Sequence, residues 1–247
     1  MRGTRATVAL LLAGLCVTTA CTAPRGQVST PGVVIVGFGD SIVYGSNYPK
    51  PWLYTLLARL TTGKITYVPE WPWVWDAPGS RNDRWYQADG VRVYNSGIDG
   101  NTTEQLLARF DTDVADLNPD ACLILGGAND IFQGVPARVI ESNLARLYDA
   151  CADDGITPVA CTVIPVKPGL YVGGSAEADE LNSTIEALNV WITEYCAARD
   201  IAVIDFNTVI ESDPATRIQP DGIHPSEPGH DAMGRSIDLE VLGLDRR

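Results

Sequence analysis

Residues 33–41 read Val33-Val34-Ile35-Val36-Gly37-Phe38-Gly39-Asp40-Ser41. Four β-branched residues in succession describe a strand buried on both faces, the hallmark of a parallel sheet. The run then breaks at glycine and enters Asp-Ser, residue types that favour turns and helix N-caps. Leu53, Leu56, Leu57 and Leu60 follow at helical spacing. A strand has led into a helix.

The same alternation returns four times downstream. Val91–Tyr94 leads to a helix with Leu106, Leu107, Phe110, Val114 and Leu117. Ala121–Leu125 precedes Ile140, Leu144 and Leu147, and Pro158–Ile164 precedes Leu181, Ile185, Leu188 and Ile192. Ile201–Asp205 leads through a loop to a last helix near Gly229–Leu242. Five strand–helix units predict an α/β protein: a three-layer α/β/α sandwich around a five-stranded parallel sheet. In such folds the chemistry gathers at the carboxyl ends of the strands. Those ends carry Asp40-Ser41, Asn95-Ser96-Gly97-Ile98-Asp99-Gly100-Asn101, Gly126-Gly127-Ala128-Asn129-Asp130 and Asp221-Gly222-Ile223-His224-Pro225. The unusual polar residues fall on one rim.

Composition narrows what that rim can do. The 247-residue chain holds two histidines, His224 and His230, so imidazole chemistry must use one of them. A multi-histidine metal centre is disfavoured, and no metal or cofactor is expected. The 18 basic against 31 acidic residues give a formal charge of −13. That balance disfavours nucleic acid, whose binding rests on Lys and Arg neutralising phosphates, and adsorption to anionic membranes.

Acyl transfer needs a nucleophile, a base, an orienter for the base and donors for the oxyanion. Ser41 directly follows a strand, so its hydroxyl can project from the sheet edge. His224 is an available base, and Asp221, three residues earlier, can hold its Nδ1 proton. The N–H groups of Ser41 and Gly100 and the side chain of Asn129 are the expected oxyanion donors. His230, in the last helix, is expected to be scaffold, and Asp40 to tie its own loop.

Gly39-Asp40-Ser41-Ile42 resembles the first block of the GDSL, or SGNH, hydrolase superfamily, with Ile in place of Leu. Asn95–Gly100 is similar to the second block, Gly127–Asp130 to the third, and Asp221–Pro225 to the fifth. The blocks stand in the family's order over residues 33–234. The resemblance implies a flavodoxin-like fold, a Ser41–His224–Asp221 triad, and an oxyanion hole built on Gly100 and Asn129. It implies no metal. Other motifs fit less well: Ile42 replaces the third glycine of a dinucleotide fingerprint, and Val43 the last glycine of a nucleophile elbow.

Outside the motif blocks several questions stay open. Arg2 and Arg5 precede an uncharged run, Ala6–Ala20, which reads as an export signal over residues 1–20. Thr18-Thr19-Ala20-Cys21 resembles a lipobox with Thr18 in an aliphatic position, so lipidation of Cys21 competes with plain cleavage and a signal-anchor. Residues 21–32 read as a linker, and 33–247 as one hydrolase domain located outside the cytoplasm. Cys122, Cys151, Cys161 and Cys196 are either buried thiols or disulfide partners, with Cys151 and Cys196 able to meet if their helices adjoin.

Substrate is the least constrained feature. The insertion at 61–90 carries Trp71, Trp73, Trp75, Trp85 and Tyr86. It reads equally as a lid or aromatic shelf for sugar rings or acyl chains, and as a small satellite core. Tyr171, in the 165–174 loop, is a second candidate pocket wall. Export and an aromatic shelf favour a small-molecule or glycan ester, with lysophospholipids or short-chain lipids close behind. A silent carbohydrate-binding protein is the alternative of another class. Oligomeric state is not readable from the sequence.

Overall fold

The computed structural model describes residues 32–45, 48, 50–68 and 84–244. Among these residues the strands, in chain order, are β1 (Val33–Gly39), β2 (Thr66–Val68), β3 (Trp85–Ala88), β4 (Val91–Gly97), β5 (Ala121–Leu125), β6 (Thr157–Cys161) and β7 (Ala202–Ile204). They form one sheet in the order β2-β3-β4-β1-β5-β6-β7. The run β4-β1-β5-β6-β7 is parallel throughout. Counted within that run the order is 2-1-3-4-5, the flavodoxin-like arrangement, whose chain reversal opens a crevice beside the first strand.

The sheet has seven strands among the described residues, not the expected five. The five parallel strands are present, and the extra two come from the insertion at 61–90. β2 pairs antiparallel with β3, and β3 antiparallel with β4. Asp89-Gly90 turns β3 into β4: both sit at positive φ, 48° and 80°, between the paired residues Ala88 and Val91. Two such residues make the tight hairpin turn whose twist matches the strands it joins. Part of the segment expected to be a lid, shelf or satellite core therefore extends the sheet, with Tyr86 buried and stacked on Tyr67. Trp71, Trp73 and Trp75 lie outside the described residues, as does Cys21.

Nine helices occur among the described residues. They are α1 (Ser41–Tyr44), α2 (Trp52–Leu60), α3 (Thr103–Asp113), α4 (Ala128–Phe132), α5 (Ala137–Asp153), α6 (Ser175–Ala197), α7 (Phe206–Glu211), α8 (Pro214–Arg217) and α9 (Glu227–Ser236). Alternate side chains of each strand enter opposite layers. Val36, Phe38, Cys122 and Ile124 pack with α3, α5 and α6. Ile35, Leu123 and Leu125 pack with Trp52 and Leu56 of α2, Phe206 of α7 and Met233 of α9. These are the three layers that the alternation predicts. The four cysteines among the described residues carry free thiols buried in these cores: Cys122, Cys151 and Cys196 on one face, Cys161 on the other.

Register places the site. Gly39 at the end of β1 stands level with Gly97 of β4 and Leu125 of β5. The loops that leave those three strands therefore emerge side by side.

Candidate active site

Ser41 opens α1 two residues beyond the end of β1, after the N-cap Asp40. The turn is held from several sides. The Asp40 carboxylate accepts the Ile42 N–H at 3.0 Å, the Trp52 indole donates to Ile42 O, and Asn95 Nδ2 donates to Tyr44 O. Gly97 lets the turn sit against β4: a Cβ there would lie 2.2 Å from Tyr44 N and 2.8 Å from Asp40 O. With its hydrophobic neighbours Ile42 and Val43 buried, Ser41 stays half-buried at the rim.

His224 arrives on the loop between α8 and α9. Its Nε2 lies 2.9 Å from Ser41 Oγ, and its Nδ1 lies 2.7 Å from Asp221 Oδ2. Asp221 Oδ1 also accepts the N–H groups of Ile223 and His224, at 2.9 and 3.0 Å. Burial alone would raise the Asp221 carboxyl, but these bonds and the His224 ring outweigh it and hold the group below the ordinary range. A carboxylate fixed in this way favours the imidazole tautomer with its proton on Nδ1, which leaves Nε2 free to accept from the serine hydroxyl.

Asn129, the second residue of α4, donates through Nδ2 to Asn101 O at 3.1 Å and lies 3.4 Å from Asp40 Oδ2. Gly100 adopts φ +75° with open space where a Cβ would stand, so conformation rather than crowding calls for glycine there. Asp40 is fully buried. Burial pushes its carboxyl up to about 7, opposed by the Ile42 N–H and by His224, and assisted by Asp130 and Asp99.

His230 has a different setting. It is buried in α9 with its ring 5.3 Å from that of Tyr48, and burial pushes it down to about 3. Its Nδ1 finds no hydrogen-bond partner among the described residues. Of the two imidazoles, only His224 touches Ser41.

Several supporting residues escape a reading by motif. Asp130 accepts from the Thr103 N–H and hydroxyl at 2.9 and 2.6 Å, tying α4 to the start of α3. Lys167 Nζ donates to the carbonyls of Pro214, Ala215 and Ile218, and its N–H donates to Gly222 O. Gly169 lies against the His224 loop so closely that a Cβ would stand 2.5 Å from Gly222 N. Arg109 stands outside the motif blocks and is largely enclosed. Tyr171 is 64% exposed, and its backbone N–H donates to Asp221 O at 3.0 Å, so its loop borders the site.

Comparison with known proteins places the chain in a family. The model of the GDSL-like lipase/acylhydrolase family matches residues 38–232. An acetylxylan esterase of Geobacillus stearothermophilus is 27% identical over 169 residues, 65% of this chain and 76% of that protein. The uncharacterized lipoprotein YqeF of Bacillus subtilis (strain 168) is 30% identical over 146 residues, 55% of this chain and half of that protein. The crystal structure of an acetylxylan esterase from Geobacillus stearothermophilus superimposes with a TM-score of 0.63 at 19% identity, covering 86% of this chain and 95% of that one. With the family match running from β1 into α9, the chain belongs to the GDSL-like lipase/acylhydrolase family of ester hydrolases.

Proposed function

We propose that the chain is an exported serine esterase whose triad is Ser41, His224 and Asp221. The observation that carries this reading is the unbroken hydrogen-bond chain from Ser41 Oγ through the His224 ring to Asp221. As Ser41 Oγ attacks an ester carbonyl, His224 Nε2 takes its proton and Asp221 stabilises the resulting imidazolium. The oxyanion of the tetrahedral intermediate is met by Asn129 Nδ2 and the N–H groups of Gly100 and Ser41. Collapse breaks the bond to the leaving alcohol, which takes the proton from His224. Water then attacks the acyl-serine by the same route and frees the acid. Ser41→Ala and His224→Ala should each remove nearly all hydrolysis of a chromogenic acetate ester; wild-type turnover by either variant would reject the triad.

For substrate we favour acetyl groups on glycans. The support is the similarity to an acetylxylan esterase and the rim position of the Tyr171 loop. Trp71, Trp73 and Trp75 are proposed to add aromatic contacts for sugar rings, and Tyr171 a further wall. An acyl-chain-length series run beside acetylated xylan tests this, and preference for long chains would point to a lysophospholipase or lipase-like role. A silent carbohydrate-binding protein would hydrolyse none of these esters.

Export rests on residues 1–20, and a lipid anchor on Cys21 in its lipobox-like setting; one relative, YqeF, is described as a lipoprotein. Residues 33–247 would then work as one domain beyond the cytoplasm, tethered by 21–32. Cys21→Ala should release the enzyme from the membrane fraction and abolish fatty-acid labelling. Among the described residues no helix is long and apolar enough to cross a membrane.

A further inference from the structure

Arg109 of α3 takes no part in the triad, yet its guanidinium binds the ends of the strands around it. Nη2 donates to Gly39 O at 2.7 Å, and Nη1 to Ser96 O at 2.9 Å and to Asp113 Oδ2 at 2.7 Å. Nε donates to Asn101 Oδ1 at 2.8 Å. One face of the group lies over Phe38, 4.4 Å from the ring centroid. A helix arginine paired with an acid one turn on needs only Asp113. Three of these acceptors lie outside α3, at the end of β1, near the end of β4, and in the loop that carries Gly100.

Asn101 connects this clamp to the site. Its side chain accepts from Arg109, and its main-chain carbonyl accepts one N–H of the Asn129 amide at 3.1 Å. A primary amide has two N–H groups in a fixed plane. Engaging one with Asn101 O sets the direction of the other. Asn129 Nδ2 also donates to Asp40 Oδ2 at 3.4 Å, a bond long enough that an oxyanion could take over the second N–H.

We propose that Arg109 is a positioning residue for the oxyanion hole, aiming the Asn129 amide through Asn101 while holding the β1 end beneath Ser41. The inference rests on the oxyanion role proposed above for Asn129. Oxyanion donors are effective when they are held in place before charge develops, and a planar, multidentate guanidinium can hold several carbonyls that an ammonium cannot.

The test is a double-mutant cycle on hydrolysis of an aryl acetate. Arg109→Lys keeps the charge but loses the fork, and should lower kcat about tenfold with KM little changed. Asn101→Ala, which removes the side-chain link but leaves the carbonyl, should give a similar loss. In an Asn129→Ala background each substitution should cost less than about threefold, because the group they position is gone. Equal losses in both backgrounds would overturn the proposal and leave the oxyanion hole intact. If Arg109→Lys does not fold, the Asn101→Ala arm decides alone. If Asn129→Ala itself leaves kcat unchanged, the oxyanion reading fails, and the role of Arg109 falls with it.

Discussion

Nε2 of His224 stands 2.9 Å from Oγ of Ser41, a residue 183 positions earlier in the chain. The two meet because parallel strands deliver their following loops to one edge, and because the His224 loop is fastened there by Lys167 and Gly169. A serine–imidazole contact at this distance supports proton transfer, and its precision depends on the groups that hold each partner.

Asn129→Ala removes one proposed oxyanion donor without touching the proposed triad. Turnover should fall by ~10²–10³ while KM changes little, since the donor acts mainly on charge that develops in the transition state. Steady-state kinetics on one acetate ester check this; a rise in KM at constant kcat would make Asn129 a ground-state contact instead.

Gly169→Ala places a methyl 2.5 Å from Gly222 N and 2.6 Å from the Asp221 carbonyl carbon. Both neighbours are backbone, so the loop that carries Asp221 must move. A displacement of about 1 Å at a reacting group costs roughly 10² in rate, which is the expected loss of kcat. Gly155→Ala, at an open site with φ +72°, serves as a control that strains the backbone far from the triad and should leave kcat unchanged.

Asp40 gives the protein a pH-dependent stability of definite sign. Its carboxyl titrates near 7 in the folded chain against 3.8 in the unfolded one. Between those values the native state keeps a proton that the unfolded state has lost, so stability falls as pH rises through that window. Asp40→Asn carries no ionisable group. Its melting temperature should decline less from pH 5 to pH 8 than that of the wild type; parallel curves would refute the assignment.

His230 acts in the opposite sense. Folded, it titrates near 3 rather than 6.5, so the unfolded chain binds more protons between those values and stability is lost as pH falls through them. His230→Gln should lessen the acid loss of stability. On the proposed mechanism, in which His224 is the base, it should leave any acid limb of the pH–rate profile in place. Disappearance of that limb would transfer the base role to His230.

The five parallel strands are legible because burial on both faces leaves uninterrupted apolar runs, as in Val33–Val36 and Ala121–Leu125. The candidate triad is legible because its residues stand in short local patterns at strand ends. The hairpin of β3 and β4 is written in Asp89-Gly90, but the tryptophans of the insertion point equally toward a lid or core. Arg109 and Lys167 carry no local signal. Each acts through carbonyls of other segments, and a sequence does not show which carbonyls a long side chain will reach.

Fluorophosphonate labelling tests the central claim most directly, because a serine reacts quickly only when a base activates it. Mass spectrometry of the labelled protein should find a single adduct on Ser41, absent in Ser41→Ala and slowed by orders of magnitude in His224→Ala. An adduct on another residue, or labelling of His224→Ala at the wild-type rate, would contradict the account.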